Sequence, residues 1–464
     1  MIDIIIVRSS NDCIRKTIDD VPSSVEKDLC SNFRILNCAT SCTYTDISDG
    51  KMLKESCKKL SYLADNNQKL KGLFQIFGQI DDVEKVVLLD AIKFSSFDVV
   101  CCKKALSEYI NGGDFCAVYK EIRNTVPAQK YPRYDMFYFS DLGYFQYFGE
   151  RDKTKRVCRF CGKKDDTDSR KSIFGDLKNS HAISHFLGNN HLFCLEECKA
   201  CNEKFGRTLE IDLSNYYSVV RALGGKKSRD NKPLTSKGYN YDYGNGCLAL
   251  YLDNTIAWKR QDVDSNPQRV LNTDLLQEDG VCLHNIYKLL VKFVIACIPN
   301  QKLHLFTKTV NWINGKKSPK NHQLPPVYRN ESLERIERPI LCIYFRKDRK
   351  KDMPFCVGEL RFWQNLFVFA IPYCSNNDVI ITRLHPALSK FVKECYPDME
   401  FTVDNYCEDH PRLVKNQIII EIDEDGSCVE MPLDKEEITE AQKSWEQRCE
   451  KMIRKFGTTD LKTD

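Results

Sequence analysis

Four cysteines in two equally spaced pairs, Cys158-x-x-Cys161 and Cys198-x-x-Cys201, constrain this chain more than any other feature, with Gly162 directly after the first pair. Zinc prefers thiolates, takes four ligands in a tetrahedron and receives them most often as two close pairs. Each pair can sit on a tight turn or a helix start with both sulfurs aimed at one point. The spacing therefore predicts a structural zinc site that clips the intervening loop shut. With 23 cysteines in the chain one stray C-x-x-C is unremarkable, but two of equal spacing around a single loop are harder to obtain by accident. Cys194, between the pairs, is expected to be a small buried hydrophobe and not a fifth ligand.

The clipped loop carries His181, His185 and His191, so three of the chain's 8 histidines fall in this short stretch, whereas core packing would scatter them. His181 and His185 stand as H-x3-H and could complete a C2H2 finger with Cys158 and Cys161. That arrangement leaves Cys198 and Cys201 unused and needs a Cys-to-His gap well beyond the usual one of about twelve residues. Local patterning gives a short strand around Ser180 to Phe186, turn chemistry at Leu187-Gly188-Asn189, and an amphipathic helix from Cys201 with Phe205 and Leu209 at i+4 spacing. Gly206 falls on nearly the same face as Asn202, which suits either close approach of a nucleic-acid backbone or tight helix packing.

These residues resemble the HNH endonuclease family, in the branch whose ββα-metal core is clipped by two C-x-x-C knuckles. The resemblance rests on Cys158, Cys161, Ala182-Ile183 after His181, Leu187-Gly188-Asn189, Cys198, Cys201, Asn202, Phe205-Gly206 and Leu209-Glu210. It is specific over residues 151–225, weakens towards residue 375 and is absent before residue 150. It implies phosphodiester hydrolysis with His181 as general base, Asn202 as ligand of a catalytic Mg²⁺ or Mn²⁺, and a structural Zn²⁺ on Cys158, Cys161, Cys198 and Cys201. A further residue holds the base in orientation; Asn189, Asn190 and His191 compete for that role, with Asn190 or His191 preferred. The pattern departs from the family at Ser180, where many members carry an acidic metal ligand before the first histidine. Glu210 is expected to support the loop behind the helix and not to reach the metal.

The expected architecture is α+β: an N-terminal α-rich or mixed domain over residues 1–150, the zinc-clipped module over 151–225, and a C-terminal mixed α/β domain over 226–464 for recognition or regulation. Strands are expected at Ile2–Val7, Cys247–Leu252, Pro339–Phe345, Phe355–Phe369 and Gln417–Ile422. Helices are expected at Met52–Ala64, Val83–Ile92, His284–Ile298, Leu388–Cys395 and Asp434–Phe456. In His284–Ile298, Lys288 and Lys292 form the polar face and Pro299 the stop.

At 464 residues, 42% hydrophobic and 29% charged, the chain has ordinary globular composition for two or three domains. It shows no basic, apolar leader at its start and no apolar run of the ~18 residues that crossing a bilayer needs. Its scattered cysteines lack a secreted disulfide framework, so a reducing cytoplasm is the expected compartment. A net charge of +4 is too small to identify a nucleic-acid binder by itself. Local basic residues are more informative: Lys153, Lys155, Arg156 and Arg159 before the module, and Lys226, Lys227, Arg229, Lys232 and Lys237 after it, where phosphates could be contacted. Tyr216, Tyr217, Tyr239, Tyr241 and Tyr243 offer base stacking or core packing. The expected partner is nucleic acid, DNA in the first instance, with a trigger or protein partner for the flanking domains. Two alternatives remain: a catalytically inactive zinc module that binds nucleic acid or a partner, and a thiol-redox protein with an accessible C-x-x-C.

Overall fold

The computed structural model describes residues 2–10, 12–18, 22–35, 47–65, 67–91, 94–124, 133–165, 172–176, 180–223, 234–244, 247–250, 259–263, 266–316, 324–331, 335–374, 383–407, 410–423, 447 and 454. The protein is mixed α+β. It divides into two compact units, each assembled from two stretches of chain: Met1–Glu203 with Leu290–Asn405, and Lys204–Leu289 with Tyr406–Asp464. Neither unit is one continuous stretch of chain, as each of the three expected domains would be. Apart from residues 447 and 454, the expected helix at 434–456 lies outside the described residues, as do the basic residues Lys226, Lys227, Arg229 and Lys232.

The first unit begins with a four-stranded antiparallel sheet, ordered Cys13–Ile18, Ile2–Arg8, Lys85–Asp90, Ile47–Asp49. Its central strands are apolar at almost every position because both faces are covered. Ile4, Ile6, Val86 and Leu88 face helices Gly50–Lys59 and Gln68–Gly78 through Leu53, Leu73 and Phe77. Ile5, Val7, Val87 and Leu89 face helices Ser96–Ile110 and Phe115–Asn124 through Val99, Leu106 and Phe115. This corrects the helix expected at Val83–Ile92. A continuous apolar run looks alike in a buried helix and in a strand covered on both sides.

A six-stranded antiparallel sheet follows in the same unit, ordered Thr402–Asp404, Val327–Asn330, Asn365–Ala370, Cys356–Trp363, Ile336–Arg346, Tyr134–Ser140. Its edge strand comes from the first stretch of chain and the other five from the second. Helix Leu384–Cys395 buries Leu384, Leu388 and Phe391 against Cys342, Tyr344, Val357 and Val368. The single strand expected at Phe355–Phe369 is two strands of a hairpin, turned at Trp363, which takes a left-handed φ of 50° without a glycine or proline to announce it.

Helix Leu283–Cys297 was expected to present lysines to solvent, yet residues 289–298 are buried throughout and Lys292 is fully enclosed. In the second unit, strand Asn266–Leu276 lies between Lys259–Val263 and Lys415–Asp423, and a separate three-stranded sheet joins Ser236–Lys237, Tyr241–Gly244 and Cys247–Leu250. Among the described residues no helix is long and apolar enough to cross a membrane.

Candidate functional site

The first thiol pair sits on a tight knuckle. The Cys158 N–H donates to the Lys163 carbonyl at 2.8 Å, and the Gly162 N–H donates to the Cys158 carbonyl at 2.9 Å. Gly162 closes the turn at φ 74°, in the left-handed region where a side chain is strained. The second pair brackets the start of helix Lys199–Phe205, and Cys198 is also bridged to Phe174. All four sulfurs lie within 4.8 Å of one another, with Cys158 Sγ 3.8 Å from Cys201 Sγ and Cys161 Sγ 3.7 Å from Cys198 Sγ. A disulfide needs about 2.05 Å. A tetrahedron with Zn–S of about 2.3 Å has edges of about 3.8 Å, so the cluster can hold a zinc ion.

Hydrogen bonding from Cys201 pulls the Cys158 thiol down, the same contact pushes the Cys201 thiol up, and burial raises Cys198. Four thiolates held this close together repel one another, and a bound cation relieves that repulsion. Cys194 lies outside the cluster, buried in strand Leu192–Cys194, its thiol raised to about 11 by desolvation.

The histidine loop hangs on that strand. The Ala182 N–H donates to the Leu192 carbonyl at 2.9 Å and the Cys194 N–H to the Ser180 carbonyl at 2.8 Å, which sets His181 antiparallel to Phe193. Strand Gln146–Phe148 pairs parallel on the other edge of Leu192–Cys194. The half-buried His181 ring lies 4.7 Å from Phe193 and 5.3 Å from His185, centroid to centroid. A short 3₁₀ turn, His185–Leu187, leads to Gly188, whose φ is 101° and whose absent Cβ would meet the Glu337 carbonyl at 2.4 Å.

Asn189 is fully buried and acts as the staple of the loop. Its amide donates to the carbonyls of Ile183 and Leu192 at 2.6 and 3.0 Å, and its oxygen accepts from the N–H groups of His191 and Leu192 at 3.2 and 2.9 Å. Asn190 is exposed and uses its backbone N–H on Asp141. His191 is held by a carboxylate, with Nδ1 2.7 Å from Asp141 Oδ1. Asn202 is half-buried on helix Lys199–Phe205, directly after Cys201, and Gly206 has open space beside it. The Ser180 hydroxyl donates to the Glu197 carbonyl at 3.2 Å and so is committed to the fold.

Buried contacts from Arg159 and Glu197 fasten the thiol pairs to the segment after residue 290. Between Cys158 and Cys161, Arg159 pairs with Glu196 at 2.9 Å and donates to the carbonyls of Ile295, Ala296 and Ile298, the orphan acceptors of a helix end. Beside Cys198, Glu197 meets Lys292 at 3.1 Å, neither side chain having any exposed surface, and Lys292 Nζ also donates to the His181 carbonyl at 3.3 Å.

Several expected contacts are corrected by these positions. Arg159 is structural. Arg156 is buried and donates to the carbonyls of Glu150 and Arg151, so neither is a phosphate ligand. Lys153, Lys155 and Lys237 are exposed. Tyr217, Tyr239 and Tyr241 are buried, which makes them core and not stacking platforms. Sequence reasoning missed the partnerships of Asp141, Glu196, Glu197 and Lys292, because Glu196 lies 37 positions from Arg159, Asp141 50 from His191, and Lys292 111 from the His181 carbonyl. No protein-family model, curated protein or solved structure matches this chain.

Proposed function

We propose that the zinc-clipped module is a metal-dependent HNH-type nuclease that hydrolyses phosphodiester bonds in nucleic acid, with DNA as the first substrate to test. The observation that carries the reading is the sequence of elements around the histidines. His181 is paired antiparallel to Phe193, and the helix that follows bears Asn202, as the family resemblance implies.

In this reading the His181 imidazole accepts a proton from water as its oxygen attacks phosphorus, and the ester oxygen leaves in line. Lys292 fixes the His181 carbonyl and Asn189 fixes the loop, so the base is oriented before substrate arrives. Asp141 occupies Nδ1 of His191, leaving Nε2 as the nitrogen available to a phosphate. Asn202, with water and substrate phosphates, would hold Mg²⁺ or Mn²⁺, which when bound neutralises charge on the phosphorane oxygens. Zinc on the four thiols is structural.

One observation favours the alternative, an inactive module that binds nucleic acid or a partner: no carboxylate precedes His181, and Ser180 spends its hydroxyl on Glu197. The two are separated by incubating supercoiled plasmid and single-stranded DNA with the wild-type chain and His181→Ala in Mg²⁺, Mn²⁺ and EDTA, with zinc measured on both proteins. A nuclease gives cation-dependent cleavage that falls by about two orders of magnitude or more in a zinc-replete mutant. Absence of cleavage by the zinc-replete wild type turns the assignment to the binding module.

A further inference from the structure

A cavity of about 530 Å³ opens beside the histidine loop, and Phe145, Tyr147, Arg15, Arg151 and Thr17 are among its walls. Phe145 is 39% exposed and is the one exposed phenylalanine among the described residues. Its ring stacks on Tyr147, with centroids 6.3 Å apart and planes 25° from parallel. The same ring lies 5.1 Å from His191. Both Phe145 and Tyr147 lie 6.0 Å from Phe193, which packs against His181. A path of aromatic rings therefore leads from the cavity to both histidines.

The cations of the cavity differ in kind. Arg15 is spent on the buried Asp3, to which Nε and Nη2 donate at 3.0 and 2.6 Å. Its charge is neutralised and its role is to hold the wall. Arg151 is exposed and makes no ion pair among the described residues, so its charge faces whatever enters. An exposed Phe145 stacked on a half-buried Tyr147 offers a flat apolar face that a planar partner can cover, and the exposed Arg151 guanidinium on the same cavity wall calls for an anion. Adjoining bases and phosphates of a single strand supply both, whereas a duplex keeps its base faces stacked internally.

We propose that this cavity binds single-stranded nucleic acid: a base stacks on Phe145 and Tyr147, and the adjoining phosphate meets Arg151, so that the strand is led to His181 and His191. The inference rests on the nuclease reading for its direction, but its test does not use cleavage. Binding of a fluorescein-labelled oligo(dT) and of a duplex of equal length is measured by anisotropy on the full zinc-replete His181→Ala chain without added Mg²⁺ or Mn²⁺, with Phe145→Ala, Phe145→Trp and Arg151→Gln added to that background.

The single strand is expected to bind at least tenfold more tightly than the duplex. Phe145→Ala is expected to weaken it about five- to hundredfold and Phe145→Trp to restore it. Arg151→Gln is expected to lower the slope of log affinity against log salt by about 0.7, one phosphate's share on a single strand. Duplex binding as tight as single-strand binding overturns the proposal. So does indifference of the single strand to Phe145→Ala in a folded protein, absence of binding to either nucleic acid, or equal competition by a mononucleotide. Indifference to Phe145→Ala, or duplex binding as tight as single-strand binding, can occur in a chain whose wild type cleaves in Mg²⁺, and each expected result in one that does not, so the two readings can be told apart.

Discussion

Asp141 has no exposed side-chain surface, and it accepts from the N–H groups of Gly143 and Asn190 as well as from His191. Alanine there removes an acceptor from three donors at once. Asp141→Ala is therefore expected to lower unfolding free energy by about 1–3 kcal/mol, and Asp141→Asn by less than half of that, because one carbonyl oxygen remains. Urea midpoints with unchanged m-values measure both; an Asp141→Ala chain as stable as wild type would show that water serves these donors equally well. Nothing near residue 141 marks it as a partner of His191. The partnership exists because Gln146–Phe148 runs parallel to Leu192–Cys194 and returns the chain to the loop. The thiols, by contrast, were legible because zinc geometry ties spacing directly to position. Asn189 stood among three candidates in sequence, and only its four hydrogen bonds separate the staple from His191 and Asn190.

At the scale of elements, the helix segment from residue 290 is bound to the second knuckle by one lysine. Removing Lys292 strands Glu197 in a site with no exposed surface, and an uncompensated buried carboxylate costs far more than the pair contributes. Lys292→Met is expected to destabilise by about 3–5 kcal/mol, while Lys292→Met combined with Glu197→Leu recovers most of the loss. Thermal and chemical denaturation of the three variants test this, and equal stability of the single and double variants would sink it. Apolar spacing did identify this helix, but it put Lys292 in solvent. A lysine at i+4 from another reads as a polar face unless its partner is known, and Glu197 is 95 positions away by residue number. The same blindness to tertiary cover made a strand at Lys85–Asp90 look helical and hid the Trp363 turn.

For the molecule as a whole, consequences follow from how the first unit is assembled. A fragment of residues 1–225 looks self-sufficient in sequence, since it holds all four thiols and every histidine of the loop. In the structure it would lose Ile336–Arg346, the one strand paired with edge strand Tyr134–Ser140 among the described residues, whose backbone groups on that side would then lack their ladder. It would also lose Lys292 and the carbonyls of Ile295, Ala296 and Ile298, leaving both Glu197 and Arg159 with buried charge and no full set of partners. The fragment is therefore expected to show no cooperative thermal transition and to be cleaved rapidly by protease. A chain of residues 1–405, which retains both stretches of the unit, is expected to keep a transition and stoichiometric zinc. Circular dichroism melts, limited proteolysis and zinc content on the two proteins decide the matter. A cooperative, zinc-replete 1–225 fragment would mean that metal binding alone outweighs two stranded charges and an unpaired strand edge, because structural zinc can contribute about 10–16 kcal/mol to folding. The opposite result would place the module's stability in the returning segment, with the zinc clip fixing geometry within a core that residues 290–405 must complete.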